Sequence, residues 1–375
     1  MKFVVSSTDL LNHLQAISRV ISNKSSLPIL DNFLFNIKGN LLTMTASDLE
    51  VTMITSMEIS NVDEDGVVAI PSRILLETLK KFPEQPLSFV ISKESFAVEI
   101  VTDKGKFNLV GQNADEYPVL QELDANKLSS VRLGADLLLT GINKTFFATA
   151  DDELRPVMNG ILFEMSPEHL TFVASDSHKL VRYRRTDIQT EFTSAFILHK
   201  KPSGLLKNIL AKADGDVQVE FDDKNAVFTT PVYKMVCRLI EGVYPAYNAV
   251  IPQGSPYKVM VDRVEFFNTL GRVSLFSNQG TNLVKLKLSD SQMTVSAQDL
   301  DFSISAFEVL PCVYDGEEME IGFKSNFLAD ILNNMDSREV ALELSDPSRA
   351  GILVPVEKEE SEDELMLLMP MMVNV

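Results

Sequence analysis

The chain repeats itself three times, and that periodicity limits what it can fold into more than any other feature does. Leu30-Asp31-Asn32-Phe33-Leu34-Phe35, followed by Leu42-Thr43-Met44-Thr45-Ala46-Ser47-Asp48-Leu49, returns as Met158-Asn159-Gly160-Ile161-Leu162-Phe163, followed by Leu170-Thr171-Phe172-Val173-Ala174-Ser175-Asp176. A fainter copy reads Asn282-Leu283-Val284-Lys285-Leu286 and then Met293-Thr294-Val295-Ser296-Ala297-Gln298-Asp299-Leu300. The aligned Asp48, Asp176 and Asp299 lie 128 and 123 residues apart, about a third of the 375-residue chain each time. The period is too long for a solenoid, whose repeats run roughly 20–50 residues, and it suits a self-sufficient domain of roughly 100–150 residues. Three tandem domains are expected, at residues 1–125, 126–254 and 255–375.

Each repeat divides again into two halves of one grammar. Apolar residues at helical spacing occur at Leu10, Leu11, Leu14, Ile17 and Ile21, at Leu75, Leu76 and Leu79, and at Leu138, Ile142 and Phe146. Three further helices are predicted around Leu205 to Leu210, Phe266 to Val273 and Phe327 to Leu332. Ser72, Ser203 and Ser325 are the expected caps, because a serine oxygen can accept from the free N–H groups of a first turn. Between the helices the period falls to two, as in Leu87 to Ile91, Val217 to Phe221 and Val340 to Leu344. Such runs read as antiparallel strands with one buried face. The fold class is α+β, and the only linkers, near Asp124–Leu128 and Pro252–Pro256, are short.

Charge separates the predicted helices from the rest. The chain carries a formal −19, yet the six helix windows (8–24, 72–81, 133–149, 200–212, 261–277 and 324–335) hold 13 Lys and Arg against 6 Asp and Glu. Positive helices on a strongly negative body would present a polyanion-facing surface if they shared one side; helix propensity alone also favours Lys and Arg. No apolar run approaches the roughly 20 residues needed to cross a bilayer, and no signal segment leads the chain. A soluble, cytoplasmic protein is expected. Cys237 and Cys312 are too few for a disulfide framework or a zinc site and read as core residues.

Known catalytic patterns do not match. Phosphate-loop, dinucleotide and zinc-protease motifs are missing, and no metal or cofactor is expected. Ser175-Asp176-Ser177-His178 holds the residue types of a hydrolase, but neighbours in one turn point apart, and the aspartate recurs in all three repeats where the histidine does not. A turn aspartate is the expected role. The acidic run Glu357-Lys358-Glu359-Glu360-Ser361-Glu362-Asp363-Glu364 reads as a solvated hairpin tip.

Leu27-Pro28-Ile29-Leu30, Met158 to Glu164, Ala174-Ser175-Asp176-Ser177-His178-Lys179-Leu180, Glu320-Ile321-Gly322-Phe323 and Met369-Pro370-Met371, in this order and spacing, resemble the bacterial DNA sliding clamp family, the beta subunit of DNA polymerase III. The resemblance spans the whole chain. It implies the DNA-clamp fold, with three domains of two helix-plus-antiparallel-sheet halves, and a ring-shaped head-to-tail homodimer around duplex DNA. Such a clamp has no catalytic site of its own. It serves as processivity factor for the replicative polymerase, and a separate ATP-dependent loader opens it.

Carried over by position, the resemblance implies a peptide-binding pocket drawn from Met158, Ser175, Ser177, His178, Lys179, Leu180, Pro245, Val250, Thr281, Lys324, Phe327, Ser348, Ala350, Leu367, Leu368, Met369, Pro370, Met371 and Met372. Its ligands would be short peptides of the polymerase alpha subunit, the clamp loader, other polymerases and repair proteins. Ser177, Ala249, Thr281 and Met372 depart from residues common in the family, so the peptide preference is expected to differ. Lys24, Lys80, Lys81, Arg155, Lys200 and Lys201 are the DNA-facing candidates, touching phosphates rather than bases. Phe107 and Leu109 are expected to meet Leu275 and Phe276 of a second copy. Two other classes remain open on the residues alone: a repeat scaffold that binds proteins but not DNA, and a hydrolase built on Ser175 or Ser177 with His178.

Overall fold

A computed structural model describes residues 1–21, 27–119 and 123–372. The first repeat runs β1 (Lys2–Ser6), α1 (Ser7–Ile17), β2 (Asn32–Lys38), β3 (Leu41–Ser47), β4 (Val51–Glu58), β5 (Gly66–Pro71), α2 (Ser72–Leu79), β6 (Pro86–Ile91), β7 (Ala97–Thr102) and β8 (Gly105–Val110). The second repeats the order with β9 (Ser129–Gly134), α3 (Ala135–Phe146), β10 (Gly160–Met165), β11 (Leu170–Ser175), β12 (Lys179–Arg185), β13 (Ser194–His199), α4 (Lys200–Leu210), β14 (Asp216–Phe221), β15 (Asn225–Thr229) and β16 (Tyr233–Arg238). The third has β17 (Tyr257–Asp262), α5 (Arg263–Val273), β18 (Leu283–Ser289), β19 (Gln292–Asp299), β20 (Ile304–Pro311), β21 (Met319–Lys324), α6 (Ser325–Asn333), β22 (Glu339–Leu344), β23 (Gly351–Pro355) and β24 (Glu362–Leu368). Among the described residues eight strands and two helices recur in one order three times, with the threefold period and the two helices per domain that the sequence predicts.

The sheets do not respect the repeats. Two compact units result, Met1–Leu139 with Gly204–Leu239, and Thr140–Ser203 with Ile240–Val375. In the first, an eight-stranded sheet has the order β5-β2-β3-β4-β16-β15-β14-β9, beside a four-stranded sheet β1-β6-β7-β8. In the second, the eight-stranded sheet is β13-β10-β11-β12-β24-β23-β22-β17 and the four-stranded sheet β20-β19-β18-β21. Each large sheet therefore joins halves of successive repeats across a seam, antiparallel β4 on β16 or β12 on β24.

Helices cover the sheets with one apolar stripe each. Leu10, Leu14 and Ile17 of α1 and Leu75 and Leu79 of α2 are buried, and these two helices pack together, as α5 and α6 do. Alternation along strands does the rest: Leu42, Met44 and Ala46 of β3 and Met293, Val295 and Ala297 of β19 are all buried. In α3 a glycine is required by contact, since a Cβ at Gly141 would stand 2.5 Å from the Phe172 ring of β11.

Three local expectations fail. Ser72, Ser203 and Ser325 are not caps but buried residues inside their helices. The hydroxyl of Ser72 donates to Asp31 O at 2.6 Å and that of Ser203 to His199 O at 2.9 Å. Side-chain caps are found instead at Ser6, which accepts from Asp9 N, at Asp262, which accepts from Glu265 N, and at His199, whose Nδ1 accepts from Lys201 N. The acidic run is only partly a hairpin tip, because Glu362, Asp363 and Glu364 lie in β24 and Glu364 is 5 % exposed. They pair with the basic strand β12, a partner roughly 180 residues distant in sequence that local reading cannot supply. Cys237 is buried, its thiol pushed up to about 12 by desolvation, whereas Cys312 is only half-buried.

Candidate functional site

In the second unit the turn from β11 to β12 shapes a cavity. Asp176 Oδ1 accepts from His178 N at 2.9 Å and Lys179 N at 2.8 Å. Ser175 Oγ accepts from Ser177 N at 3.2 Å and donates to Lys179 O at 2.9 Å. Ser177 is thereby held at φ +73°, a left-handed conformation that non-glycine residues seldom adopt. The expected turn aspartate is borne out: Asp48 accepts from Glu50 N and Val51 N, and Asp299 from Asp301 N and Phe302 N. With Ser175 bonded to a carbonyl and the imidazole of His178 stacked on Phe327 at 5.4 Å between centroids, the three side chains do not form a nucleophile and base.

A strap after β16 closes the other side. Tyr244 and Tyr247 fold back over the sheet, and the Tyr247 hydroxyl donates to the Glu164 carboxylate. Burial, with that carboxylate adding to it, pushes the Tyr247 phenol up to about 12. Tyr244 is raised further by burial. Beneath them Leu162, Val173, Leu180, Ile197, Ile352, Leu365 and Leu367 form one core cluster. Alternation along β24 supplies this: Leu365 and Leu367 face the strap, while Met366 and Leu368 bury on the opposite side.

The cavity holds about 360 Å³. Of the residues expected from sequence, Met158, Ser175, Ser177, His178, Lys179, Leu180, Pro245, Val250, Leu367 and Met369 line it. Arg155, expected to face DNA, lines it too, ion-paired to Asp152 at 2.8 Å. Tyr244, Ala246 and Tyr247 complete the wall and were not anticipated, although Tyr244-Pro245 repeats Tyr117-Pro118 of the first domain.

A second lobe adjoins it at His178. Lys179 Nζ, 5 % exposed and ion-paired to Asp176 at 2.8 Å, lies 4.4 Å from the centroid of the Phe327 ring, with Lys324 Nζ at 5.0 Å. After β24 the chain crosses this lobe, Met369 N donating to His178 O and Met371 N to Gly322 O. Met369 and Met372 are exposed and Pro370 and Met371 half-buried, so the apolar run leaves the core after Leu368. Ala350 is a core residue under the first lobe and Leu368 is fully buried, so neither offers a contact surface. Ser348 is exposed and bonded to Asp346. Thr281 lines a different depression of about 520 Å³, with Leu283, Lys285 and Phe307 on the C-terminal four-stranded sheet. The whole arrangement is an apolar socket whose rim cations Arg155 and Lys179 are paired with Asp152 and Asp176; among the described residues, no cluster of three His, Cys, Asp or Glu could hold a metal.

The remaining expected residues lie on other elements. Lys80 and Lys81 are exposed at the end of α2, Lys80 paired to Glu77 at 2.8 Å. Lys200 and Lys201 open α4 and are half-buried. Lys24 lies outside the described residues. Phe107 and Leu109 sit on β8, the edge of the N-terminal four-stranded sheet, and Leu275 and Phe276 on a 3-10 turn after α5. The sequence reading overlooked the edge strand β20, which exposes Ile304, Phe307 and Val309. No described helix is long and apolar enough to cross a membrane.

Comparison with known proteins identifies the repeats. Family models for the N-terminal, central and C-terminal domains of the DNA polymerase III beta subunit match residues 1–121, 132–246 and 248–372. The chain is 27% identical over 372 residues to the beta sliding clamp of Pseudomonas putida, covering 99% of this chain and 100% of that one. It is 27% identical to that of Staphylococcus epidermidis, covering 98% of each. Among solved structures it is similar to a sliding clamp from Pseudomonas aeruginosa bound to griselimycin, with TM-score 0.94, 25% identity and 100% of both chains covered. It is also similar to one from Bartonella birtlesii bound to griselimycin, with TM-score 0.92, 26% identity and the same coverage.

Proposed function

The chain belongs to the DNA polymerase III beta-subunit family, and on that premise we propose how its own residues make it a replicative sliding clamp. It is an accessory processivity factor and not an enzyme. Two copies close head to tail around duplex DNA, slide without reading sequence, and tether the replicative polymerase, the clamp loader and repair proteins. We keep the domain division at 1–125, 126–254 and 255–375 and assign the protein to the cytoplasm.

The observation that carries closure is the pair of unfinished sheets. Within the chain, β4 joins β16 and β12 joins β24; the third counterpart of the first strands is β20, and that of the second is β8, both sheet edges. A register follows. Asp48, Asp176 and Asp299 face Val51, Lys179 and Ile304 on the next strand. Val51 pairs with Cys237 and Lys179 with Leu368, and Leu109 holds the matching place on β8, opposite Val98 as Cys237 is opposite Ala226 and Leu368 opposite Gly351. Both seams thus support Leu109 opposite Ile304 of the partner subunit, with Phe107 opposite Ala306 of the partner subunit. Arg238 N donates to Glu50 O and Met369 N to His178 O, so the pair next to each is a non-hydrogen-bonded one, with Cα atoms roughly 4.5 Å apart and within disulfide reach.

In a Cys312→Ser background, Leu109→Cys with Ile304→Cys is expected to oxidise to a covalent dimer, as is Phe107→Cys with Ala306→Cys. The off-register Leu109→Cys with Ala306→Cys is expected to stay uncrosslinked. A monomer in sedimentation would contradict the ring, and a dimer crosslinked only off register would contradict the seam.

The socket beside β24 is the assigned peptide site, with Met369, Leu180, Leu367 and Val250 receiving an apolar anchor and Phe327 the neighbouring residue. Arg155 is assigned to its rim. DNA contact falls to Lys80, Lys81, Lys200 and Lys201, and Lys24 is retained as a candidate. A few cations against a −19 chain hold DNA weakly, which suits retention by topology.

A further inference from the structure

The peptide socket is built twice. At the first seam, Ser47 Oγ accepts from Leu49 N at 3.2 Å, the distance from Ser177 N to Ser175 Oγ in the socket. Asp48 Oδ1 accepts from the next two amides, as Asp176 Oδ1 does. Leu49 is held at φ +78° where Ser177 has +73°. Tyr117-Pro118 stands in the place of Tyr244-Pro245, and Tyr117 is buried with Ile29, Leu30 and Ala69 as Tyr244 is buried over its own sheet. Between these parts lies a cavity of about 330 Å³, walled by Leu49, Thr52, Pro118, Val119, Val236 and Arg238. All of these residues belong to the first compact unit.

Two apolar side chains of this cavity are left exposed among the described residues. Leu49 is an exposed leucine in a left-handed turn, a conformation that favours glycine or asparagine, and Val119 is 92 % exposed at the mouth. Among the lining residues Glu50 and Arg238, neighbours at the end of the seam, pair at 3.4 Å, both largely solvated, and such a pair is weak enough to exchange its partners for those of a ligand. The rim therefore carries one charge of each sign, and both are solvated, whereas the Lys179–Asp176 pair of the socket is largely buried.

We propose that the first seam is a second docking site for a short extended peptide of a partner protein, with one leucine-sized or aromatic anchor between a basic and an acidic residue. The basic residue meets Glu50 and the acidic one Arg238, while the anchor enters between Leu49, Val119 and Val236. The proposal rests on the socket at the second seam being a peptide site, and it predicts a different peptide preference at the two places.

The test follows methyl resonances of the intact dimer during titration with the capped peptide acetyl-Lys-Leu-Phe-Glu-amide. Saturable shifts at Leu49, Val119 and Val236 are expected, weakened at least tenfold by Leu49→Gly, which suits the turn and removes the anchor wall. Leu49→Arg is expected to abolish them and leave the response at Leu180, Val250 and Leu367 unchanged. Shifts confined to those three would overturn the second site and leave the first standing. Shifts at neither place would overturn both readings, and shifts at Val119 and Val236 that survive Leu49→Arg would overturn the proposed mode.

Discussion

The two seams inside the chain have one backbone and two chemistries. Where β4 meets β16, the facing residues are Met53 with Met235, Thr52 with Val236 and Thr55 with Tyr233. Where β12 meets β24, Arg182 binds Asp363 at 2.6 Å, Arg185 binds Glu362 at 3.2 Å, and Tyr183 donates to Glu362. Lys144 reaches over from α3 to Glu364 at 3.1 Å and Asp336 at 2.6 Å. Repeated strand pairing thus specifies register and antiparallel sense, while the side chains that hold a seam together can be replaced wholesale. The ionic seam is also the one beside the peptide socket, where Leu365 and Leu367 follow the acids along β24.

Breaking the ionic seam should have the largest effect. Lys144→Met leaves Glu364, already buried with one unpartnered oxygen, without its cation; removing one member of such a buried pair costs about 3–5 kcal/mol. Urea unfolding should show that loss in the second unit. Met235→Ala tests the apolar seam and should cost about 2–4 kcal/mol through the cavity it leaves, with little dependence on salt. Equal salt sensitivity of the two variants would remove the distinction between the seams.

Acidity sharpens it further. Burial raises the Glu364 carboxyl above its usual 4.5, with Lys144 opposing. A folded-state pKa that is raised contributes stability below the unfolded value and loses it as pH rises through the folded one. The wild-type second unit should therefore lose stability from this group between the ordinary glutamate range and neutrality, and Glu364→Gln should flatten that part of the profile. An unchanged slope in the variant would mean that the group does not titrate there. The smallest effect belongs to Arg238→Ala at the exposed rim of the first seam, expected to change stability by less than about 1 kcal/mol.

Much of the fold was legible because it depends on spacing. The period of the aligned aspartates and the two-residue alternation of strands such as β14 and β22 are local signals that survive tertiary context. The caps were misread because Ser72 and Ser203 spend their hydroxyls on carbonyls outside the first turn. Glu362 to Glu364 were misread because what neutralises them lies on β12 and α3 of the preceding repeat. At the site, the residues carried over by position gather well along β11, β12 and β24, whereas Tyr247 and Arg155 come from a strap and a loop whose path no periodicity announces. The apolar edge of β20 alternates exposed and part-buried residues, and only its lack of a neighbour gives it meaning.

Retention on nicked circular DNA tests the central claim most directly. After loading by a competent clamp loader, the protein should stay on the circle through a high-salt wash and leave once the circle is cut, because linkage rather than contact holds it. Equal retention on circular and linear DNA would contradict a closed sliding ring.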